Sequence, residues 1–278
     1  MHLLDPTGFA RVAPLVPPHT QAGHMAFAWA LLEGRQSGHV WVDDANRPRS
    51  AIVCNDCEFW FVLGEPRPDL VAGVMPELLR RLPTNNTALW CTSPEWETAL
   101  APLFAQTSHR KEFHFEPEKA EITRVALPPR LRLAPIDAAI AARFKEPYLD
   151  PWVARVAWGD PEQMAAKSFG WAVMDGDRPV SFCAACAIGG PRGAVEAEIE
   201  IITDADYRGR DLATAAALAF FASCRERGMV PAWTCAADNV PSARLARRLG
   251  FIEFREISGH ELRRGMRFSR GKWRLPPR

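Results

Sequence analysis

The sequence predicts an α/β fold in which one unit, a mixed sheet flanked by helices, occurs twice in tandem. Three observations lead there. Asp44-Ala45-Asn46-Arg47-Pro48-Arg49-Ser50 matches Asp175-Gly176-Asp177-Arg178-Pro179-Val180-Ser181 at an offset of 131, and Leu89-Trp90-Cys91-Thr92 resembles Trp233-Thr234-Cys235-Ala236 at an offset of 144. Each seven-residue match is a polar turn between two apolar runs, which is the pattern of a hairpin. After its hairpin each half alternates strand and helix, and that order implies a mixed sheet with helices packed over it.

The elements follow from the same patterning. In the first half, residues 39–42 and 51–53 form the hairpin. A strand at 58–63, a helix at 69–82 kinked at Pro76, a strand at 88–91, a helix at 95–104 and a strand at 112–115 come next. In the second half, a strand at 131–133 and a helix at 136–144 precede the hairpin strands 171–174 and 182–188. Then come a strand at 195–203, a helix at 212–227, a strand at 231–235, a helix at 241–249 and a strand at 251–257. The offset grows between the two matches because the second half has a longer hairpin around Gly189-Gly190-Pro191-Arg192-Gly193. Pro128-Pro129 interrupts the pattern, so the expected lobes are 1–125 and 126–278.

Composition fits two globular lobes: 278 residues, 47% hydrophobic and 24% charged. The 34 basic and 33 acidic residues leave a net charge of +1, which argues against nucleic acid as a partner. That total conceals a split, because residues 1–125 hold 11 basic and 15 acidic side chains and residues 126–278 hold 23 and 18. Seven Arg and Lys and no acid fall in residues 262–278, and such a basic tail is expected to be solvated or poorly ordered. The longest apolar run, 212–222, is too short to span a bilayer, so no membrane association is expected. The first residues lack a basic segment followed by an apolar one, which leaves a cytoplasmic protein as the expectation.

Two CxxC pairs, Cys54/Cys57 and Cys183/Cys186, raise the question of a metal. Cys183 and Cys186 lie in an apolar strand, where residues three apart face opposite sides and would not grip one ion. Cys54 and Cys57 flank a turn, but no second ligand pair stands at a recognisable spacing. Buried structural thiols and no metal site are expected. His2, His19, His24, His39, His109 and His114 likewise show no ligand spacing.

The most informative stretch runs from Ile199 to Phe251. A strand passes through Asp206-Tyr207-Arg208-Gly209-Arg210-Asp211 into an Ala-rich helix beginning Leu212-Ala213-Thr214. Such a turn aims the helix's first free N–H groups at one spot, and their partial positive charge suits a phosphate or pyrophosphate. Arg208 and Arg210 add full charges, and Gly209 lets the backbone come close. Ala237-Asp238-Asn239 and Ser242-Ala243-Arg244-Leu245-Ala246-Arg247-Arg248-Leu249-Gly250-Phe251 follow. Together these motifs resemble the acetyl-CoA-binding half of the GCN5-related N-acetyltransferase (GNAT) superfamily over residues 128–260, whose pattern is Arg/Gln-x-x-Gly-x-Gly/Ala, Asn-x-x-Ser and Leu-Gly-Phe. The tandem arrangement resembles the two-lobed bacterial subfamily that includes zwittermicin-resistance-type acetyltransferases.

The resemblance implies two GNAT-like lobes, each a mixed, mostly antiparallel sheet flanked by helices, with acetyl-CoA as co-substrate. It places the phosphate loop on Arg208, Gly209, Arg210, Asp211, Leu212, Ala213 and Thr214. The strand end that pairs with pantetheine falls on Ile201, Ile202 and Thr203, where a backbone N–H would polarise the thioester carbonyl, and the Asn and Ser fall on Asn239 and Ser242. Two departures stand out. Asp211 replaces the motif's middle Gly and repels a pyrophosphate unless it turns outward or pairs with Arg208 or Arg210. Ala246 occupies the place of the Tyr that many members use as general acid. The corresponding turn of the first half, Gly64-Glu65-Pro66-Arg67-Pro68-Asp69, has two prolines and two acids and is expected to cradle no phosphate.

Acetyl transfer to an amine needs a group that removes the ammonium proton. Glu196, Glu198 and Glu200 alternate along the strand entering the phosphate loop and share one face, which should border a cleft. The family's base often comes from this strand. Glu198 is the first choice and Glu200 the second, with Glu196 expected to be exposed near the hairpin. The acceptor side resembles the segment from Glu146 to Asp160, where Tyr148, Asp150, Trp152 and Trp158 would suit a cationic, partly apolar small-molecule amine; the two Trp serve equally well as core anchors. The expected protein is an N-acetyltransferase whose first lobe shapes the acceptor cleft or a homodimer surface. A non-catalytic acyl-CoA-binding or regulatory module is the rival, favoured by Asp211 and the missing Tyr.

Overall fold

The computed structural model describes residues 1–18, 25–82, 86–145, 147–191 and 193–276. His19, His24, Glu146 and Arg192 lie outside the described residues. The chain forms two compact units, Met1–Glu112 with Cys235–Asp238 and Arg255–Arg278, and Phe113–Thr234 with Asn239–Phe254.

In the first unit β1 (His2–Leu3), β2 (Gly38–Val42), β3 (Ser50–Asn55) and β4 (Phe59–Gly64) pair antiparallel in sequence, and β5 (Asn86–Cys91) joins β4 in parallel. The β2–β3 turn explains its acidic residues. Asp43 accepts from the N–H groups of Arg49 and Ser50, and Asp44 from those of Asn46 and Arg47. Helices α1 (Ala26–Leu32), α2 (Pro68–Arg80) and α3 (Pro94–Leu100) are shorter or shifted relative to the sequence expectation where that exists. Along α2, Leu70, Val71, Val74, Met75 and Leu78 form one buried stripe at helical spacing, and the helix continues through Pro76. β6 (Thr107–Phe115) begins five residues before the predicted strand and is divided between the units.

In the second unit β7 (Leu131–Pro135), β8 (Gly170–Asp175), β9 (Arg178–Gly189) and β10 (Glu196–Thr203) pair antiparallel in series, and β11 (Val230–Ala236) joins β10 in parallel. The predicted helix at 136–144 reduces to one turn, α4 (Ala138–Ala141), whose first N–H groups are capped by Asp137 accepting from Ile140 at 2.8 Å. A turn of π-helix (Val153–Ala157) and α5 (Pro161–Lys167) follow. The two long predicted helices form as α6 (Leu212–Glu226) and α7 (Val240–Arg248). Both units are therefore mixed α/β layers in which antiparallel pairing dominates.

The basic C-terminus departs from its expectation: it is ordered. β12 (Phe251–Arg263) runs six residues past the predicted end, and its Gly259–Arg263 stretch pairs with β5. β13 (Arg267–Ser269) and β14 (Lys272–Arg274) then form a hairpin. Trp273 N–H donates to Leu103 O at 2.7 Å, and Ala105 N–H donates to Trp273 O at 3.1 Å. Leu262 and Met266 are buried in the first unit's core with Leu78, Trp96 and Leu100, and Trp273 and Leu275 pack against it. The charge run obscured this because its arginines alternate with the apolar side chains that do the packing. Replacing the half-buried Trp273 with Ala is expected to cost about 2 kcal/mol, roughly half the range for a buried Trp, as read from urea unfolding.

His260, on β12, is 2% exposed and stacks on Phe104 with ring centroids 4.6 Å apart. Burial disfavours the imidazolium and pushes its pKa from 6.5 down to about 4. Between those values the unfolded chain binds the proton that the folded chain refuses. The stability linked to His260 is therefore intact above pH 6.5 and lost as pH falls toward 4, by about 3 kcal/mol in all. Denaturant midpoints across this window should fall in the wild type, and a His260→Leu variant should show a flatter profile.

Candidate active site

Alternation along the second unit's sheet sorts its side chains into two faces. Trp171, whose indole donates to Ser223 of α6 at 3.0 Å, pairs with Cys183, which pairs with Ile201. Phe182 stacks on Phe144 at 4.4 Å between ring centroids and pairs with Ile202. Glu196, Glu198 and Glu200 share the face of Ile202, opposite α6. The pairing steps from Glu198↔Ala187 to Ile199↔Ala185, so the bulge falls on β9, with Cys186 as its extra residue, and the three carboxylates keep their common face. Ala185 O accepts from Trp158 Nε1 at 2.8 Å and from Ser168 Oγ at 2.7 Å, which fixes the bulge.

The carboxylates differ in surroundings. Glu196, expected to be exposed, is 5% exposed, and Glu198 is 3% exposed, whereas Glu200 is half-buried. Glu198 Oε1 accepts from the Thr234 N–H at 3.1 Å and from Thr234 Oγ1 at 2.9 Å. β10 and β11 pair at Glu196↔Val230, Ala197↔Pro231 and Glu198↔Ala232, and the ladder ends there although β10 continues to Thr203. A wedge therefore opens between Ile199–Thr203 and Trp233–Thr234, and Ile201, Ile202 and Thr203 along it are half-buried.

At the wide end of that wedge lies the turn into α6. Gly209 has φ +73°, and nothing lies within 4 Å of where its Cβ would be, so the backbone there is open to a ligand. Asp211 has φ +54° in the left-handed region, which explains why this position of the motif favours Gly. Its carboxylate pairs with Arg248, both guanidinium NH groups standing 3.4 Å from Oδ1, and not with Arg208 or Arg210 as the sequence suggested. The Asp211 side chain does not cap the first N–H groups of α6, which begins Leu212-Ala213-Thr214. Arg208 Nε donates to Thr203 O at 3.3 Å, and Arg210 donates to Asp206 O at 3.0 Å with its guanidinium 5.2 Å from the Tyr207 ring centroid.

Asn239 and Ser242 hold the neighbouring helix in place. Asn239 Oδ1 caps α7 by accepting from Ser242 N at 3.1 Å, and Ser242 Oγ accepts from Trp233 Nε1 at 3.0 Å. The acceptor-side residues do not converge. Trp158 is a buried anchor, Trp152 is half-buried, and Asp150 is spent on an Asx turn, accepting from Trp152 N at 2.8 Å. Tyr148 is exposed and lies 4.2 Å from the Arg178 guanidinium, beside a cavity of about 440 Å³ lined also by Arg143 and Lys145. Asp177 lines it too and pairs with Arg143 at 3.8 Å, while Arg178 pairs with Asp204, so two of the three cations are already neutralised. Tyr207 donates to Asp175 at 2.6 Å, and that hydrogen bond raises its pKa, so it is a poor general acid.

All seven cysteines are buried and unbridged, and desolvation drives the Cys91 and Cys224 thiols up to about 12, out of the nucleophilic range. Cys186 Sγ donates to Glu198 O at 3.4 Å. The bulge at Cys186 also breaks the strict alternation used to set Cys183 and Cys186 on opposite faces. Among the described residues no group of His, Cys, Asp and Glu is placed to hold a metal ion.

The first unit treats the equivalent turn differently. β4 and β5 stay paired from Phe59↔Ala88 to Val62↔Cys91, the last residue of β5. Thr92 Oγ1 donates to Val62 O at 2.7 Å, and Trp96 Nε1 donates to Gly64 O at 2.9 Å. Pro68 starts α2, and Arg67 is engaged by Asp69 at 2.7 Å and Asp43 at 3.7 Å.

The second unit thus presents an open wedge leading to a helix start, and the comparisons with known proteins give the class of protein. The GNAT acetyltransferase family profile matches residues 19–258. The uncharacterized N-acetyltransferase YdfB of Bacillus subtilis strain 168 is 31% identical over 235 residues, 81% of this chain and 85% of that one. The chain belongs to the GNAT acetyltransferase family and is an acyltransferase. Among solved structures, a GCN5-related N-acetyltransferase-like protein from Streptococcus suis 89/1591 superposes with a TM-score of 0.68 at 22% identity, covering 92% of this chain and 99% of that one. A tandem GNAT protein from the clavulanic acid biosynthesis pathway gives 0.61 at 12% identity, covering 95% and 99%. Both likenesses are of fold, and the second of these proteins is itself a tandem GNAT.

Thr234 and Arg248, the partners of two candidate residues, were passed over by sequence reading. Both lie inside quoted motifs, but their partners, Glu198 and Asp211, are 36 and 37 residues away.

Proposed function

We propose that the protein transfers the acetyl group of acetyl-CoA to the amine of a small molecule by direct attack, at one site per chain in the second unit. The observation that carries this reading is the wedge between β10 and β11 ending at the uncapped start of α6. Ile201, Ile202 and Thr203 offer strand-edge backbone to the pantetheine arm. Arg208, Gly209, Arg210, Leu212, Ala213 and Thr214 hold the pyrophosphate, and Asn239 and Ser242 brace the other side of the mouth. When bound, acetyl-CoA supplies the activated acyl group. Glu200, the least buried carboxylate of its face, takes the ammonium proton of the acceptor and passes it to water, and the second proton that nitrogen loses as the amide forms goes through solvent to the departing thiolate. The paired, buried Glu198 is less suited to that task.

Asp211, one of the features favouring a binding-only module, is paired with Arg248 and need not oppose a pyrophosphate. Asp211→Gly should nonetheless tighten acetyl-CoA binding about three- to tenfold, because it removes a carboxylate from a helix start and suits the left-handed backbone. Calorimetric titration of the two proteins checks this. The same titration of the wild type should give one site per chain, since the first unit's strands are zipped and its turn begins with prolines.

The reading as a whole is tested by melting the protein with acetyl-CoA at ~100 Kd, which should add about 2.7 kcal/mol of stability, and by screening amines for thiol release. Absence of a thermal shift sinks the CoA reading. A shift without turnover on any of a broad amine panel favours the binding module.

A further inference from the structure

Glu198 stands where a base is expected, yet its carboxylate is committed elsewhere. In a parallel ladder the Thr234 N–H would bond to a carbonyl of β10. Instead it donates to Glu198 Oε1 at 3.1 Å, and the Thr234 hydroxyl donates to the same oxygen at 2.9 Å. An unpaired backbone N–H at a buried strand is costly, and a charged acceptor is a strong substitute for the missing carbonyl. The carboxylate therefore stabilises the separated strands relative to the zipped ones.

The first unit supplies an internal control. The repeat offset of 144 makes Ala88 the counterpart of Ala232, and the strand registers then make Phe59 the counterpart of Glu198. Phe59 offers no acceptor. After Phe59↔Ala88 the ladder continues through Trp60↔Leu89, Phe61↔Trp90 and Val62↔Cys91, whereas after Glu198↔Ala232 it stops. The strands part in the unit that has the carboxylate and stay together in the unit that lacks it.

We propose that Glu198 is a positioning residue that props the β10–β11 wedge open by occupying the Thr234 amide and hydroxyl. This rests on the reading that the wedge receives acetyl-CoA. It assigns Glu198 to cofactor binding through strand geometry and not to proton transfer.

The test is a set of variants compared by calorimetric titration of acetyl-CoA and by steady-state kinetics with the best amine found. Glu198→Gln keeps an oxygen that can accept both Thr234 donors but cannot act as a base. Glu198→Ala removes the prop. Glu198→Ala should raise the acetyl-CoA Kd and KM at least tenfold, Glu198→Gln should restore both to within about threefold of wild type, and Thr234→Val, which loses one donor, should weaken binding severalfold. For Glu198→Gln kcat should fall less than tenfold, short of the loss expected on removing a general base. A hundredfold loss of kcat in Glu198→Gln at saturating acetyl-CoA would make Glu198 the base and overturn the proposal. Wild-type affinity in Glu198→Ala would overturn it too. Should Glu198→Ala fail to fold, the Glu198→Gln kinetics still decide. A wild type that binds no acetyl-CoA would instead defeat the underlying reading.

Discussion

Glu200→Gln is expected to lower kcat by about 10²–10³-fold while changing acetyl-CoA affinity less than threefold, the scale of loss when a positioned base is removed. The expectation follows from what the three strand carboxylates do. Glu196 and Glu198 are buried, and Glu198 is hydrogen-bonded to Thr234. Glu200 lies on the same face beyond the last β10–β11 pair, half-buried and closest to the wedge's wide end. Gln keeps the volume and one acceptor, so packing is preserved and only proton acceptance is lost. The decisive readout is single-turnover acetylation with saturating acetyl-CoA, which isolates chemistry from binding and release. If Glu200→Gln turns over at the wild-type rate, proton removal belongs to water or to another side chain.

Removal of residues 265–276 should destabilise the first unit by at least ~4 kcal/mol, comparable to the loss of one large core side chain. The segment contributes the buried Met266, the packed Trp273 and Leu275, and two backbone hydrogen bonds to Leu103 and Ala105. Deleting it removes Met266 from the cluster that holds Leu100 and Phe104 and takes away the partners of Leu103 O and the Ala105 N–H. The loss should appear in urea unfolding and as early proteolytic cleavage within residues 1–112. A truncated protein with wild-type stability and protease resistance would contradict the packing described.

Much of the architecture was legible because it is local. The Asp turns at 43–44 and 175, the proline-initiated α2 and the Gly-punctuated entry to α6 are each written within a few residues. What escaped depends on partners far apart in the chain. Glu198 was placed on the correct face by period-two alternation, but its bond to Thr234 needs the register between two strands separated by a helix. Asp211 was singled out as a charge needing a partner, and that partner proved to be Arg248, 37 residues on at the end of the next helix. The tail was misread because charge density was weighed above the spacing of Met266, Trp273 and Leu275. Trp158, an aromatic group equally consistent with recognition and packing, was decided by a single bond to Ala185 O.

The composition of the first unit bears on how the chain is made. Its core includes Leu262 and Met266, and its membership extends over Arg255–Arg278. During synthesis residues 1–112 emerge well before those partners, so this unit must wait, with part of its apolar interior uncovered, until residue 266 has left the ribosome. A stop before residue 262 would thus be felt first by residues 1–112, made well before the break.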